Sequence, residues 1–313
     1  MGAPDREPGL QEVEELLSTA VTLLRPYLDA ARPSAEAAAP ESVLGEAPDA
    51  PAGGDERPMV EIRCFGGFRV TVGGTAVDCG AVRPKARSLL RLLALRAGSP
   101  VHRDVLLDAL WPDLGHEAGV RNLHVTVSRL RTLLEPGAER GSATLLTRDE
   151  HSYGLALGWP CASDVREFDR RSTVCLRPAP GEDPERRIAA LRAALRWYGG
   201  ELLPEEGAAE WVVGERRRLR GRAARLCATL AGCELELGRP DAAAAAAEQA
   251  LTLDAYLDEA WRALVTARER LGDPAAAERG RRAYARTLRS LGVTPGPDAA
   301  VTAGRWWSAP PRP

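Results

Sequence analysis

Cysteine is scarce here and poorly placed for chemistry. The six cysteines (Cys64, Cys79, Cys161, Cys175, Cys227 and Cys233) form no CxxC pair, and the four histidines do not cluster near them. That spacing argues for buried, reduced thiols rather than a metal site or a disulfide framework. Lys85 is the sole lysine among 42 Lys and Arg residues. The chain has no GxxxxGK[ST], no HExxH, no GxSxG and no GxGxxG after a strand, so nucleotide, metalloprotease, hydrolase and dinucleotide chemistry lack their usual residues. The acid pair Glu205-Glu206 falls in an expected loop with no sign of a raised pKa. No enzyme, cofactor or metal site is expected. No apolar run approaches 18 residues, and the N-terminus lacks a basic-then-apolar signal pattern. The expectation is a cytoplasmic protein with no membrane partner.

What is present is unevenly distributed. The net charge of the 313 residues is −2. Residues 1–58 hold 4 basic and 12 acidic side chains, residues 60–160 hold 13 and 10, and the remainder carry a net +3. Within the acidic segment, Leu10, Val13, Leu17, Val21, Leu24 and Leu28 share a helical face, which predicts an amphipathic helix in residues 1–31, interrupted near Pro26. Residues 32–58 are rich in Ala, Pro, Gly and acid, a composition that cannot offset its ordering entropy, so a flexible linker is expected.

Ordered structure is expected to begin at residue 59. Val60, Ile62 and Cys64 alternate with polar residues, as do Phe68, Val70 and Val72, and Gly66-Gly67 and Gly73-Gly74 punctuate them. This pattern predicts a small antiparallel sheet. The period then changes. Residues 83–98 start with Pro84 and end at Gly98, as a helix should. A second helix over 101–113 ends at Pro112, a third covers 120–134, and residues 143–158 read as strand, tip, strand. Sheet, three helices and hairpin are the order of a winged helix-turn-helix, in which the third helix enters the major groove and the hairpin reaches the neighbouring backbone.

The third helix, "VRNLHVTVSRLRTLL", has two unlike faces. Leu123, Val127, Leu130 and Leu134 form one stripe for burial. Opposite lie Arg121, Val125, Ser128 and Thr132, flanked by Asn122, Arg129, His124 and Arg131, with no acid among them. Arg and Asn pair with base edges, and a small apolar group meets a thymine methyl. A merely basic surface helix fits this stretch alone equally well; the surrounding elements favour DNA. Arg129 and Arg131 are expected as phosphate clamps, with an acid of the second helix as the other partner open to Arg131. Lys85 and Arg87 of the first helix, and Arg148 and His151 of the wing, are further DNA-binding expectations. Trp111, Trp197, Trp211 and Trp261 are expected in the core.

From about residue 164 the chain reads as helical. "ELGRPDAAAAAAEQAL" (236–251) aligns with "RLGDPAAAERGRRAY" (270–284), with Leu-Gly steps offset by 34 residues. That is the tetratricopeptide period, in which helix pairs stack because one pair cannot bury its own apolar face. The expected architecture is mainly α: a winged helix over 59–160, a tetratricopeptide-like all-helical domain over 161–305, and a disordered tail over 306–313.

In that order and spacing, "RPKARSLLRLLAL", "LLDALWPD", "NLHVTVSRLRTLL", the Tyr of "HSYGL", "SDVREFDR", "LRAALRWYGGELL" and "RSLGVTPGP" carry a resemblance. Over roughly residues 59–305 the chain resembles the actinobacterial antibiotic regulatory protein family of transcriptional activators, with an OmpR-type winged helix and a bacterial transcriptional activator domain. The resemblance implies binding to double-stranded promoter DNA at direct repeats, a homodimer on that DNA, and recruitment of RNA polymerase to secondary-metabolite genes. Three departures stand out. Asp149 and Glu150 place acid at the wing tip, where phosphate would be repelled. His102 stands where Ser or Thr commonly caps the second helix, which predicts a weaker cap. Ala255 replaces a common proline. Two other readings stay open: a protein-interaction adaptor whose winged helix does not read DNA, and an activator whose acidic residues 1–58 cover the third helix.

Overall fold

Short strands, then helices, follow the change of hydrophobic period. The computed structural model describes residues 60–139, 142, 144–156, 162–177 and 181–292. All of them lie in the second of two compact units, Asp55–Pro313. The helix expected over 9–31, the linker over 32–58 and the tail over 306–313 fall outside the described residues.

Strands β1 (Val60–Arg63), β2 (Arg69–Val72) and β3 (Thr75–Ala76) form an antiparallel meander, with Ile62 opposite Val70. Helix α1 (Pro84–Leu95) begins on Pro84, whose missing N–H is one that a first helical turn leaves unbonded anyway. Its Leu89, Leu90 and Leu93 are buried. Val101 and His102, expected as the start of the second helix, instead form strand β4. The reason is local. Val101 is buried opposite Tyr153, and His102 turns the chain into α2 (Arg103–Leu110). The cap that was expected to be weak is made by imidazole: His102 Nδ1 accepts from Asp104 N at 3.2 Å.

Helix α3 (His116–Leu134) packs on α1 and α2, and the wing follows as β5 (Leu146–Asp149) and β6 (Ser152–Leu155). With β4 the wing makes a three-stranded sheet in the order β4-β6-β5.

The helical half starts with strand β7 (Ala162–Ser163), which pairs in parallel with β1 and makes the first sheet mixed rather than purely antiparallel. Helices α4 (Asp164–Cys175), α5 (Pro184–Leu195), α6 (Glu210–Glu236), α7 (Pro240–Leu253), α8 (Asp258–Arg270) and α9 (Pro274–Ser290) follow. The 34-residue repeat is realised bond for bond at two helix ends. Gly238 (φ 69°) follows α6, where Arg239 N donates to Glu234 O at 2.9 Å; Gly272 (φ 73°) follows α8, where Asp273 N donates to Arg268 O at 3.1 Å. Both are left-handed helix stops that satisfy otherwise orphaned carbonyls. Ala243, Ala244, Ala246 and Ala247 are all buried on α7 between its neighbours, so the alanine run is close-packing surface.

The two halves share one hydrophobic core that runs from β1 and α1 through α4 into α6 and α7. Phe65, Phe168 and Tyr198 meet with ring centroids 4.9–5.7 Å apart. Gly66 N donates to Glu201 O at 2.9 Å, and Leu203 N to Cys64 O at 2.8 Å. A Cβ on Gly66 would come within 2.6 Å of the Gly199 carbonyl oxygen, so this approach needs glycine. Trp111, Trp197, Trp211 and Trp261 are half-buried at the rim of the packed regions rather than inside them. Trp261, for instance, keeps its indole N–H on the Ala255 carbonyl at 2.8 Å.

Candidate nucleic-acid interface

Helix α3 sits with one stripe sealed. Leu123, Val127, Leu130 and Leu134 are buried, as their spacing predicts, and a Cβ on Gly119 would press on Leu107 at 3.2 Å. Arg121, Asn122, His124, Val125, Ser128, Arg129 and Thr132 are exposed on the other side. Val125 is 53% exposed, so no neighbouring loop takes it out of water. The helix begins four residues before the expected start and brings Glu117 with it, 3.7 Å from Arg121. The outer face therefore does carry an acid at its first turn. Those side chains are 92% and 70% exposed, so the pair restrains Arg121 only weakly.

The wing flanks this face. Arg148 lies over the Tyr153 ring at 5.8 Å and bonds the Glu150 carbonyl through Nε at 3.4 Å. His151 meets His102 edge-on at 6.2 Å and gives its carbonyl to Arg103 N at 2.6 Å. Partial burial, then the charges of Arg148 and Arg103, hold the His124 imidazole below the usual histidine range. Neutral His124 thus sits within a basic group of Arg103, Arg148 and the α3 arginines. Arg103 had no mark in the sequence, because only the fold brings the start of α2 beside α3 and the wing. Glu150 occupies the tip with φ 44°, a left-handed conformation unusual for a residue with a side chain.

Two families match the chain. Residues 79–155 match the family described as transcriptional regulatory protein, C terminal, and residues 163–302 match the bacterial transcriptional activator domain. Among solved structures, Mycobacterium tuberculosis EmbR in complex with a low-affinity phosphopeptide is similar at 26% identity with a TM-score of 0.66. The match covers 78% of this chain and 64% of that one, so this chain spans just under two thirds of the EmbR chain. No curated protein matches.

The chain joins a transcriptional regulatory C-terminal domain to a bacterial transcriptional activator domain, in the order that the antibiotic regulatory protein type has them. Neither matched family describes an enzyme. Among the described residues of the regulator, no group of three His, Cys, Asp or Glu is placed to hold a metal ion, and no helix is long and apolar enough to cross a membrane.

Several expected DNA ligands of the regulator are engaged elsewhere. Arg131 donates through Nε and Nη2 to the Leu146 carbonyl at 3.1 and 3.0 Å, tying α3 to the root of the wing. It pairs with no acid of α2 and is turned away from a clamp. Lys85 Nζ donates to Leu110 O at 2.6 Å and so closes the C-terminus of α2. Both are long cations whose nearest carbonyl lies in another element, which spacing along the chain does not reveal. Thr132 Oγ1 lies 3.3 Å from the Ser128 carbonyl of its own helix, so its proton is committed and the hydroxyl is left as an acceptor. Arg87 is half-buried on α1.

The pair Glu205-Glu206 also proved structural. Glu205 accepts from Phe68 N at 2.7 Å, and Glu206 accepts from Ser88 Oγ at 2.9 Å and Arg91 Nη1 at 2.6 Å. Both join the helical half to the winged helix.

Proposed function

We infer that the protein is a sequence-specific DNA-binding transcriptional activator of secondary-metabolite genes, acting in the cytoplasm, with α3 in the major groove. The observation that carries this reading is the exposed face of α3. Its polar side chains (Arg121, Asn122, Ser128 and Arg129) surround an unburied Val125, while the opposite stripe is sealed in the core. Arg121 and Asn122 pair with base edges, Val125 meets a thymine methyl, and Arg129 holds phosphate. Arg148 and His151 of the wing approach the neighbouring backbone. Binding at direct repeats by two copies, and contact of the helical half or the loop 112–116 with RNA polymerase, complete the reading.

The test is selection of genomic DNA fragments by the purified protein, with sequencing, and a salt titration on the best fragment. The expected result is an enriched direct-repeat motif, with log affinity falling against log salt at about −0.9 for each phosphate contacted. Absence of any enriched motif would favour a protein-interaction adaptor.

A further inference from the structure

The wing guards only one flank of α3. At 100° per residue, His124 and Arg131 lie on the wing side, where Arg131 bonds Leu146 and His124 feels Arg148. Arg129 and Leu133 lie on the opposite flank. There the chain forms an open cleft of about 500 Å³ lined by Ala81, Val82, Arg83, Arg129, Thr132 and Leu133. Among the described residues no carboxylate lines it. Arg83 and Arg129 are exposed, and Arg83 makes no side-chain bond to the helix it precedes. Two arginines from different elements thus line one cleft, with Ala81, Val82, Thr132 and Leu133 as its other lining residues.

A helix in the major groove has a sugar–phosphate strand on each side of it. The wing addresses one strand. We propose that Arg83, acting with Arg129, binds a backbone phosphate of the other strand, so that α3 is held from both flanks. This inference rests on the DNA-binding reading above and adds a phosphate ligand that the sequence pattern did not single out. Arg83 lies 46 residues before Arg129 and outside the third helix. The chemistry is that of a phosphodiester between two planar forks, each able to donate twin N–H bonds. The Thr132 hydroxyl, its proton already directed at Ser128, adds no donor to the site.

The experiment measures binding of the selected DNA fragment across a salt series for the wild-type chain, Arg83→Gln and Arg83→Lys. Arg83→Gln is expected to weaken binding about tenfold at low salt and to flatten the salt slope by about 0.9, the signature of one lost phosphate contact. The preferred motif should stay the same, because a phosphate carries no base identity. Arg83→Lys should keep most of the slope, and all three proteins should melt together.

If wild type binds with a steep salt slope and Arg83→Gln keeps that slope, the inference falls and the DNA reading stands. If Arg83→Gln changes preference at one base pair, Arg83 reads a base and the phosphate assignment is wrong. If wild type itself shows no salt-dependent binding, the DNA reading and the inference fall together.

Discussion

The Glu206 carboxylate receives the Arg91 guanidinium at 2.6 Å across the junction of the two halves, with the two side chains 7% and 12% exposed. Ser88 Oγ donates to the same carboxylate at 2.9 Å. A buried charge left without its partner is costly, so Glu206→Ala should destabilise the chain by about 3 kcal/mol. Arg91→Met with Glu206→Leu should cost less than Glu206→Ala alone. Chemical denaturation of the three variants checks this, and a near-neutral Glu206→Ala would show that the pair does not hold the junction.

Asp164 is the second tie at that junction. Its carboxylate accepts from Cys64 N at 2.8 Å, Phe65 N at 2.9 Å and Val165 N at 2.7 Å. Burial raises its pKa above the usual carboxylate range, and the backbone donors only partly offset this. By linkage, stability from this group is complete below the unfolded pKa and is lost as pH rises through the folded value. Asp164→Asn removes the charge but turns an amide N–H toward a backbone N–H. It should therefore destabilise by about 1–3 kcal/mol at pH 7, with a smaller penalty at pH 7 than at pH 4. Equilibrium unfolding at the two pH values decides; a constant penalty would mean that burial of the charge is not being felt.

Glu150 sits at the wing tip with φ 44°. Glycine takes that conformation without Cβ strain, so Glu150→Gly should stabilise by about 1 kcal/mol. It also removes an acid from the wing, the element proposed to approach phosphate, so DNA binding at low salt should tighten several-fold. A higher Tm with unchanged affinity would place the wing tip out of reach of the backbone.

His124 should make DNA binding depend on pH. Its lowered pKa leaves it neutral near pH 7, and acidification adds a positive charge on the face proposed to meet DNA. Binding should therefore tighten from pH 7.5 to 5.5, more steeply for wild type than for His124→Gln. Stability runs the other way. A depressed histidine pKa contributes stability above the unfolded value of about 6.5, and this is lost as pH falls through the folded one. Equal pH slopes for the two proteins would remove His124 from the interface.

Local periodicity made much of this fold legible. The buried stripe of α3 and the paired stops at Gly238 and Gly272 follow from spacing alone, because each is set by residues within a turn or one repeat of another. The side chains that travel were not legible. Lys85 reaches Leu110, Arg131 reaches Leu146, and Asp164 caps backbone 100 residues away at Cys64. Lys85 and Arg131 read in sequence as cations for DNA and Asp164 carries no signal of its own; only the packing of the elements shows which carbonyl or N–H lies within reach. Val101 reads as helix in the sequence for a related reason: a two-residue strand has no period, and its partner Tyr153 lies beyond α3.

The most direct measurement is binding of Val125→Ala and Arg129→Ala to a library of the selected site with every base pair varied. A base-reading face on α3 predicts that Arg129→Ala weakens binding to all members alike. Val125→Ala should instead lose roughly 1 kcal/mol of preference at a single base pair and leave the others unchanged. Uniform weakening by both substitutions would contradict the account, because Val125 would then touch no base.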